Sequence, residues 1–509
     1  MKPEPIQHVI IAGGGTAGWM TAAALSKAFA GSPMKITLVE SDEIGTIGVG
    51  EATIPAIHFF NTMLGIDQAE FMRTCQATFK LGIEFVDWGD IGRRYIHPFT
   101  TYGRDLNNVF FHELWLKYAG MKAAAGEVST LDDYNLCCVA ARNNRFTHPV
   151  GGERVPVGAI KYAFHFDASL YARFLRTYSE KRDVTRLEGK IRDVRSEAET
   201  GFLQALVLED GQTIEGDLFI DCTGQRALLI EQSLKSGFVA WRHWLPCDRA
   251  VAVPCANAAP AAPYTRSTAD TAGWRWRIPL QHRVGNGYVF SSAFIDDEAA
   301  ERRLLESLDG EPLAAPRRIP FVTGRRKAFW IKNCVAIGLA SGFLEPLEST
   351  SIHLIQTGVL KLLALFPDKG FEAADIAAYN RHTEAEYERL RDFLILHYKV
   401  TQRDDTLFWR YCQAMEVPDS VNEAIELFAA RGRMLVTADH LFTGASWMSV
   451  MTGQGLTPRG YNSLVDTIPN AELEAHMRSV RDYIAQTTQA MPFHHDYVAR
   501  FCRETQHAD

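Results

Sequence analysis

The first forty residues hold the pattern that most constrains the fold of this chain. A short apolar stretch, His8–Ala12, runs directly into Gly13–Gly18, which matches G-x-G-x-x-G, and helical composition continues to about Ala30. A second apolar stretch follows at Lys35–Glu40. Strand, helix and strand in this order predict neighbouring parallel strands. We therefore expect an α/β fold with a Rossmann-like nucleotide-binding sheet of the glutathione-reductase or aromatic-hydroxylase type.

Each glycine of the motif has its own expected task. Gly13 permits the tight turn, Gly15 lets the backbone approach a pyrophosphate, and Gly18 lets the helix pack closely on the strand. The helix N-terminus offers N–H groups and a positive dipole to phosphates. Glu40 ends the second strand, where a carboxylate binds ribose hydroxyls. The predicted dinucleotide contacts are Gly13, Gly15, Thr16, Ala17, Gly18 and Glu40.

Two later segments favour FAD over NAD as the dinucleotide. Ile220–Gly224 is a buried strand that runs into a turn, and Gly338–Gly342 likewise follows a strand with small residues. Each segment alone is equally typical of an ordinary strand-to-loop turn. Three such segments in one chain favour FAD, with further contacts predicted from Asp221, Gly224, Gly338 and Leu339. No second nucleotide motif for a nicotinamide cofactor is present.

The remaining pattern changes from strands to helices along the chain. Arg192–Asp221 predicts strands of a second sheet that end in the buried strand Leu218–Asp221, and Ala328–Gly338 predicts another short strand. From about Phe371 the apolar spacing becomes helical, most clearly in Asp375–His397 and Asn470–Met491. The C-terminal region is therefore predicted to be largely helical.

This pattern predicts two regions with different roles. Residues 1–370 are predicted to form the FAD-binding module, with substrate-contacting segments inserted at about 90–170 and 230–330. Residues 371–509 are predicted to complete the substrate pocket. The Ala- and Pro-rich stretch Cys255–Tyr264 predicts a surface loop.

Bulk composition excludes several classes of protein. The formal charge is -8 and no Lys/Arg-rich block occurs, which argues against nucleic-acid and anionic-membrane partners. No apolar run reaches the roughly 20 residues of a membrane helix. The nine cysteines include no C-x-x-C, so neither a disulfide framework nor a metal site is predicted. With no signal-peptide pattern before His8, we expect a cytoplasmic protein.

Trp274–Pro279 matches the signature W-x-W-x-I-P. Together with the nucleotide motifs, it makes the chain resemble the flavin-dependent tryptophan halogenase family. Further matches are the flavin-covering strap (Gly48–Pro55), the catalytic-lysine segment (Phe79–Ile83), the glutamate and halide segment (Phe343–Thr350) and a C-terminal signature (Gly453–Gly455 with Pro458). These matches extend from residue 8 to about residue 461.

The resemblance implies FADH2- and O2-dependent chlorination or bromination of an electron-rich aromatic ring. Hypohalous acid would be guided to Lys80, which would donate a hydrogen bond to it or form a haloamine. Glu348 would stabilise the positive ring formed on attack, and Thr350 and Ser351 would bind the halide. Ser351 stands where the family is expected to have glycine, so the halide preference stays open. The resemblance adds Gly50, Ala52, Ile191 and Ile352 to the FAD contacts.

The resemblance also implies flat apolar walls for the substrate. The predicted lining residues are Ile83, His97, Phe99, Leu441, Phe442 and Trp447. Family members that act on free tryptophan carry a tyrosine pair and a glutamate before the second wall, whereas Arg431–His440 contains no tyrosine. We therefore expect an indole, a simple indole derivative or a tryptophan within a larger molecule to be preferred to free tryptophan.

Two alternatives remain open on the sequence. An FAD-dependent aromatic monooxygenase shares the fold and the nucleotide motifs, but does not need Lys80. A non-catalytic FAD-binding scaffold or redox sensor needs neither Lys80 nor Glu348. A separate flavin reductase that supplies FADH2 is the expected partner of a halogenase, and a homodimer is expected from the family alone.

Overall fold

The computed structural model describes residues 4–43, 50–149, 160–434 and 440–504. The chain folds into two compact units, each assembled from three separate stretches. The first unit comprises Met1–Ala77, Phe166–Arg242 and Pro320–Glu388. The second unit comprises Thr78–His165, His243–Ile319 and Arg389–Asp509. The functional division at residue 370 stays a prediction.

A six-stranded sheet forms the centre of the first unit. Its strands, in spatial order, are Trp330–Ile331, Cys334–Ala336, Leu218–Asp221, His8–Ala12, Lys35–Glu40 and Val184–Glu188. All neighbours run parallel except the first pair, which is antiparallel. The interior of the His8–Ala12 strand is fully buried, as expected of a parallel strand covered on both faces. The predicted bounds of His8–Ala12 and Lys35–Glu40 are confirmed.

Two antiparallel sheets of three strands also belong to this unit. They consist of Ile191–Ser196, Leu203–Leu208 and Thr213–Glu215, and of Phe238–Ala240, Gly324–Arg326 and Gly342–Phe343. The short strand Gly50–Ala52 also belongs to the first unit.

Two strand predictions in this unit were wrong in part. Leu218–Asp221 does not join the second sheet but pairs with His8–Ala12, because its apolar side chains are buried beside that strand. Ala328–Gly338 is not one strand but a hairpin of Trp330–Ile331 and Cys334–Ala336. The hairpin turns at Lys332, whose φ of +53° cannot continue a strand.

Helices surround these sheets in the first unit. They are Thr16–Ala28, Ala56–Leu64, Gln68–Thr74, Ala168–Glu180 and Ser351–Ala364, and Ala373–Lys399 supplies residues to both units. The Ala168–Glu180 helix begins where it does because the Asp167 carboxylate accepts hydrogen bonds from Ser169 N (3.0 Å) and Leu170 N (3.1 Å).

A seven-stranded sheet dominates the second unit. Its strands, in spatial order, are Arg317–Pro320, Arg249–Cys255, Val284–Phe290, Gly273–Pro279, Thr265–Asp270, Gly82–Val86 and Arg94–Pro98. Thr78–Lys80 pairs antiparallel with residues 163–165, outside the seven-stranded sheet. Gly287 lies beneath the Trp276 ring, since a Cβ atom there would lie 2.0 Å from Trp276 Cη2.

The second unit also carries most of the predicted helical region. Its helices are Phe111–Ala124, Leu136–Arg142, Asp297–Glu306, Leu407–Ala414, Asp419–Arg431, Gly444–Gly453, Asn470–Ala490 and His494–Glu504. Past residue 371, the described part of the chain contains helices and no strands, which confirms the helical C-terminal region. None of the described helices is long and apolar enough to cross a membrane. The described residues also contain no group of three or more His, Cys, Asp or Glu placed to hold a metal ion.

Candidate active site

The three predicted nucleotide segments meet at the carboxyl edge of the six-stranded sheet. Cys222 N donates to Ala12 O over 2.8 Å, and Ile337 N donates to Asp221 O over 3.0 Å. Gly338 packs against the first helix, since a Cβ atom on it would lie 2.7 Å from Ala17 Cβ. The first unit therefore brings together segments that are separated by more than 100 residues along the chain.

The glycines of this edge fall into a packed group and an open group. Gly13 has φ +104°, and a Cβ atom there would lie 2.3 Å from Cys222 O. A Cβ atom on Gly18 would lie 1.9 Å from Gly13 O, so the helix requires glycine at this contact. At Gly15 and Gly224, in contrast, a Cβ atom would meet nothing within 4 Å. The open positions fit the close approach of a phosphate chain to the backbone.

Glu40 lies beside this turn and is held by other side chains. Its carboxylate accepts from Arg186 Nε over 2.5 Å and from Trp19 Nε1 over 3.3 Å. The same carboxylate covers Gly14, where a Cβ atom would lie 1.6 Å from Glu40 Oε2. Neither Arg186 nor the need for glycine at position 14 could be predicted from the sequence, because neither belongs to the fixed positions of the motif. A ribose at this position would share Glu40 with Arg186.

Asp221 shapes its own turn instead of presenting a free carboxylate. Its Oδ1 accepts from Thr223 N (3.0 Å) and Thr223 Oγ1 (2.6 Å), while Oδ2 accepts from Leu229 N and Ile230 N (2.9 Å each). Burial raises the pKa of this carboxyl group above its ordinary value. What the segment leaves available to a ligand is the backbone around Gly224, which has φ +70°.

The predicted halide segment forms a tight, buried turn in the first unit. Pro346–Glu348 makes one helical turn, Ser349 has φ +61°, and Thr350 precedes the helix Ser351–Ala364. Glu348 and Thr350 are each 1% exposed. Within the described chain, Thr350 Oγ1 is buried and has no hydrogen-bond partner. A hydroxyl in this state, beside a helix N-terminus, fits an anion such as halide.

The helix that follows this turn is anchored by Glu386. That carboxylate accepts from Lys361 Nζ over 2.6 Å and Thr357 Oγ1 over 3.0 Å, and lies 3.2 Å from His353 Nε2. Burial alone would raise the pKa of Glu386, but His353 and Lys361 lower it to about 2. The halide segment therefore begins a helix that a half-buried charged group anchors.

Lys80 lies in the second unit and is fully buried. Its Nζ is 5.2 Å from the centroid of the Phe99 ring, within cation–π range. Phe99 N donates to Leu81 O over 3.4 Å, and Ile83 pairs with His97 across neighbouring strands. The structure thus brings together four residues predicted for one pocket: Lys80, Ile83, His97 and Phe99.

A group of aromatic rings adjoins His97 in the same unit. Phe393 stacks on Phe442 with ring centroids 4.0 Å apart. His97 contacts Phe393 at 5.6 Å and Phe442 at 5.9 Å, and Trp447 lies 5.6 Å from Phe393. Phe393 could not be predicted from the sequence, because nothing in its helix distinguishes it from the other aromatic residues. Leu441 is 37% exposed, and its role as a wall stays a prediction.

The tryptophan signature packs into the second unit. Trp274 and Trp276 are buried, and their rings lie 6.2 Å apart. Packing therefore accounts for both rings. The family resemblance implies that this segment lies near the flavin, and that placement stays a prediction. The end of the signature has a second contact: the carbonyl of Pro279 accepts from Thr78 Oγ1 over 2.7 Å, two residues before Lys80.

The remaining predicted residues lie at separate places. Gly50 and Ala52 are buried in a short strand, and Ile191 begins a strand of a small sheet. Leu339 is half-buried and Ile352 is buried. Their contact with a flavin stays a prediction. Residues 48 and 49 of the strap segment, and residues 435–439 of the stretch without tyrosine, lie outside the described residues. Lys80 and Glu348 belong to different units, and their predicted proximity stays a prediction.

Comparison with known proteins identifies the kind of protein that carries this arrangement. Residues 8–470 match the family model of tryptophan halogenases. Tryptophan 6-halogenase SttH from Streptomyces toxytricini is 35% identical, over 98% of this chain and 99% of that protein. Tryptophan 7-halogenase RebH from Lentzea aerocolonigenes is 32% identical, over 97% of this chain and 98% of that protein.

Solved structures agree over the whole length. The flavin-dependent halogenase Xcc4156 from Xanthomonas campestris has 49% identity and a TM-score of 0.93, covering 98% of this chain and 99% of that one. The flavin-dependent halogenase BrvH from Brevundimonas sp. BAL3 has 46% identity and a TM-score of 0.93, covering 97% of this chain and 99% of that one. The chain belongs to the flavin-dependent tryptophan halogenase family, and is an enzyme that halogenates aromatic substrates with FAD, halide and O2.

Proposed function

We propose that this halogenase acts on an indole ring and that Lys80 and Glu348 carry the substitution. The observation that supports this most is the buried Lys80 beside Phe99, in the same unit as the aromatic group of His97, Phe393, Phe442 and Trp447. A flat, electron-rich ring packs well against such a group, with about 0.5–1.5 kcal/mol per ring pair beyond buried area. Curated relatives named as tryptophan halogenases act on an indole ring, which supports the same substrate class.

The residues of the first unit fit FAD and a halide. The backbone at Gly15 and Gly224 is open to a ligand, and Thr350 Oγ1 is buried without a partner in the described chain. Bound as FADH2, the flavin supplies with O2 the two-electron oxidation that turns halide and a proton into hypohalous acid, with FAD and water as the other products. In our proposal Thr350 and Ser351 hold the halide at the start of the Ser351–Ala364 helix.

In the second step, protein side chains direct the transfer of the halogen to the aromatic ring. The Lys80 ammonium donates a hydrogen bond to the oxygen of hypohalous acid and keeps the oxidant beside the aromatic group. The ring carbon takes the halogen and hydroxide leaves; the proton that the substituted carbon loses, by way of Glu348, converts this hydroxide to water. Glu348 stabilises the positive ring and takes the proton from the substituted carbon. A separate flavin reductase supplies FADH2. In our proposal residues 1–370 bind the flavin and contact the substrate through the inserted segments at about 90–170 and 230–330, and residues 371–509 complete the substrate pocket.

Free tryptophan is expected to be a poor substrate. The stretch Arg431–His440 has no tyrosine to hold an amino-acid end, and an unpaired ammonium in an apolar pocket is costly. The test compares indole, L-tryptophan and a tryptophan-containing peptide at equal FADH2 supply, with chloride and with bromide, by mass spectrometry. We expect kcat/KM for indole to exceed that for L-tryptophan at least about tenfold, a 1.4 kcal/mol difference.

Two outcomes would contradict the proposal. A low KM and rapid turnover of L-tryptophan would refute the substrate assignment. A Glu348→Gln variant that halogenates indole at the wild-type rate would refute the role of the carboxylate. The glutamine is nearly isosteric, so the variant removes the base with little change in volume.

A further inference from the structure

The strand that carries Lys80 is only three residues long, Thr78–Lys80. On one edge it pairs with residues 163–165, with Phe79 opposite Phe164 and Lys80 opposite Ala163. A strand this short holds few ladder hydrogen bonds and needs other contacts to keep its side chains in place. The contacts on its other edge therefore help to hold the backbone that carries Lys80 in place.

That other edge is closed by a histidine side chain and a loop. Phe79 N donates to His494 Nε2 over 3.2 Å, and Leu81 N donates to Pro263 O over 2.7 Å. His494 Nδ1 donates in turn to Ala261 O over 2.7 Å. His494 thus links the C-terminal helix His494–Glu504, the Ala- and Pro-rich loop and the Lys80 strand, although 415 positions separate it from Phe79.

This linkage requires neutral His494, with its proton on Nδ1. The carbonyl of Ala261 can only accept, and the amide of Phe79 can only donate, so the two ring nitrogens have opposite roles. The side chain is fully buried, and burial lowers the pKa of His494 to about 4. The ring is therefore neutral at pH 7.

The side chain of Thr78 makes a second set of contacts that hold the same strand. Thr78 Oγ1 donates to Pro279 O over 2.7 Å, and therefore accepts from His165 Nδ1 over 3.0 Å. His165 Nε2 accepts from Thr265 Oγ1 over 2.9 Å. Thr78 and Lys80 point to the same face of the strand, because side chains alternate. The position of Thr78 thus bears directly on that of Lys80.

We propose that His494 is a positioning residue for Lys80, which fixes the lysine strand by accepting the Phe79 amide hydrogen bond, with Thr78 fixing it from the other side. This inference rests on the proposed role of Lys80. A misplaced Lys80 would not slow formation of hypohalous acid, but would let more of it escape before it reacts with the bound ring. The variable that reports on positioning is therefore the ratio of halogenated indole to escaped oxidant.

The test exploits the different reach of asparagine and glutamine. In His494→Asn the amide nitrogen takes the place of Nδ1 and keeps the Ala261 contact, but the side chain is too short to accept from Phe79. In His494→Gln the amide oxygen takes the place of Nε2 and keeps the Phe79 contact. The matched control is His476→Asn, which removes another buried histidine contact, to Arg104 O at 2.8 Å, on the helix Asn470–Ala490.

Each variant receives chemically reduced FADH2, air, bromide and indole, with monochlorodimedone as the trap for escaped oxidant. We expect the ratio of bromoindole to trapped bromine to fall about tenfold or more in His494→Asn, since small misplacements of reacting groups have effects up to about a hundredfold. We expect His494→Gln to stay within about threefold of wild type, and His476→Asn to match it. Because the ratio is independent of the amount of folded enzyme, lower stability alone does not change it.

A wild-type ratio in His494→Asn would overturn the inference. Should that variant not fold, Thr78→Val replaces it: the same fall in the ratio supports the inference, and a wild-type ratio overturns it. Lys80→Met separates this inference from the proposed function. If Lys80→Met still gives bromoindole at the wild-type ratio, the role of Lys80 fails; if it does not while His494→Asn behaves as wild type, only the inference on His494 fails.

Discussion

Gly15→Ala should separate cofactor binding from folding. Gly15 precedes the first helix with φ -71° and ψ -173°, a conformation that alanine adopts freely. A Cβ atom there would meet nothing within 4 Å. The variant should therefore fold normally, and its added methyl group should stand where the phosphates of FAD are proposed to approach the backbone.

Two local effects set the change in the free energy of unfolding, and the blocked approach of the phosphates sets the change in FAD affinity. Alanine instead of glycine reduces the entropy of the unfolded chain, which stabilises by about 0.4–1 kcal/mol. Alanine is a poorer N-cap than glycine by a similar amount, so the free energy of unfolding should change by less than about 0.5 kcal/mol. FAD affinity should fall at least about tenfold, which corresponds to 1.4 kcal/mol.

Gly18→Ala is the matched comparison. A Cβ atom at Gly18 would lie 1.9 Å from Gly13 O, so the turn or the helix must shift. Overpacking of this kind costs about 1–3 kcal/mol, and Gly18→Ala should lower the Tm of the FAD-free protein. Thermal unfolding of the FAD-free variants and titration with FAD by flavin fluorescence measure both effects. Wild-type FAD affinity in Gly15→Ala would refute the proposed approach of the phosphates.

Three further predictions concern other buried groups. Thr350→Val removes a buried hydroxyl that has no hydrogen-bond partner in the described chain, so Tm should stay the same or rise. The KM for bromide should rise about tenfold or more. An unchanged KM for bromide in steady-state assays would contradict the halide role of Thr350. Asp132 is a buried carboxyl group whose Oδ2 lies 2.5 Å from Arg142 Nη2 and accepts from Ile96 N over 3.0 Å. Burial raises its pKa from 3.8 to about 6, although these two contacts lower it, so stability is greatest below pH 3.8 and falls as pH rises to about 6. Urea unfolding between pH 4 and 7 should show this loss, of about 3 kcal/mol, in wild type and not in Asp132→Asn. The same pH dependence of the free energy of unfolding in both proteins would contradict this prediction. The pKa of Glu386 is lowered to about 2, so its contribution is present above pH 4.5 and is lost as pH falls toward 2. Glu386→Gln should cost about 1.5–3 kcal/mol at pH 7, because glutamine has no charge to pair with the Lys361 ammonium, and urea midpoints equal to wild type would refute this.

Local pattern was sufficient for the nucleotide-binding edge of the fold. His8–Ala12, the glycine turn and Lys35–Glu40 were predicted with the observed bounds, because apolar runs and glycines act over a few neighbouring residues. The sheet membership of Leu218–Asp221 was not predicted, because strand pairing over more than 200 residues leaves no local trace. The turn at Lys332 was missed because a lysine gives no signal for a positive φ.

The same limit applies to the candidate site. Lys80, Glu348 and Thr350 were named through the resemblance to a family, since a buried lysine and a surface lysine look alike in sequence. Arg186 on Glu40 and Phe393 among the aromatic rings were not named, because ordinary arginine and phenylalanine residues gain these roles only from the fold.

The most direct test of the account is halogen incorporation in wild type and Lys80→Met. Each enzyme is supplied with FAD, a flavin reductase, NADH, air, indole and bromide, and the products are analysed by mass spectrometry. Methionine keeps most of the volume of the buried side chain but has no ammonium, so FAD binding and Tm should be unchanged. The account predicts a product with the bromine isotope doublet from wild type and a loss of about a hundredfold or more in Lys80→Met. Bromoindole formed at equal rates by both enzymes would contradict it, and hydroxylated indole from wild type would move the chemistry to oxygenation.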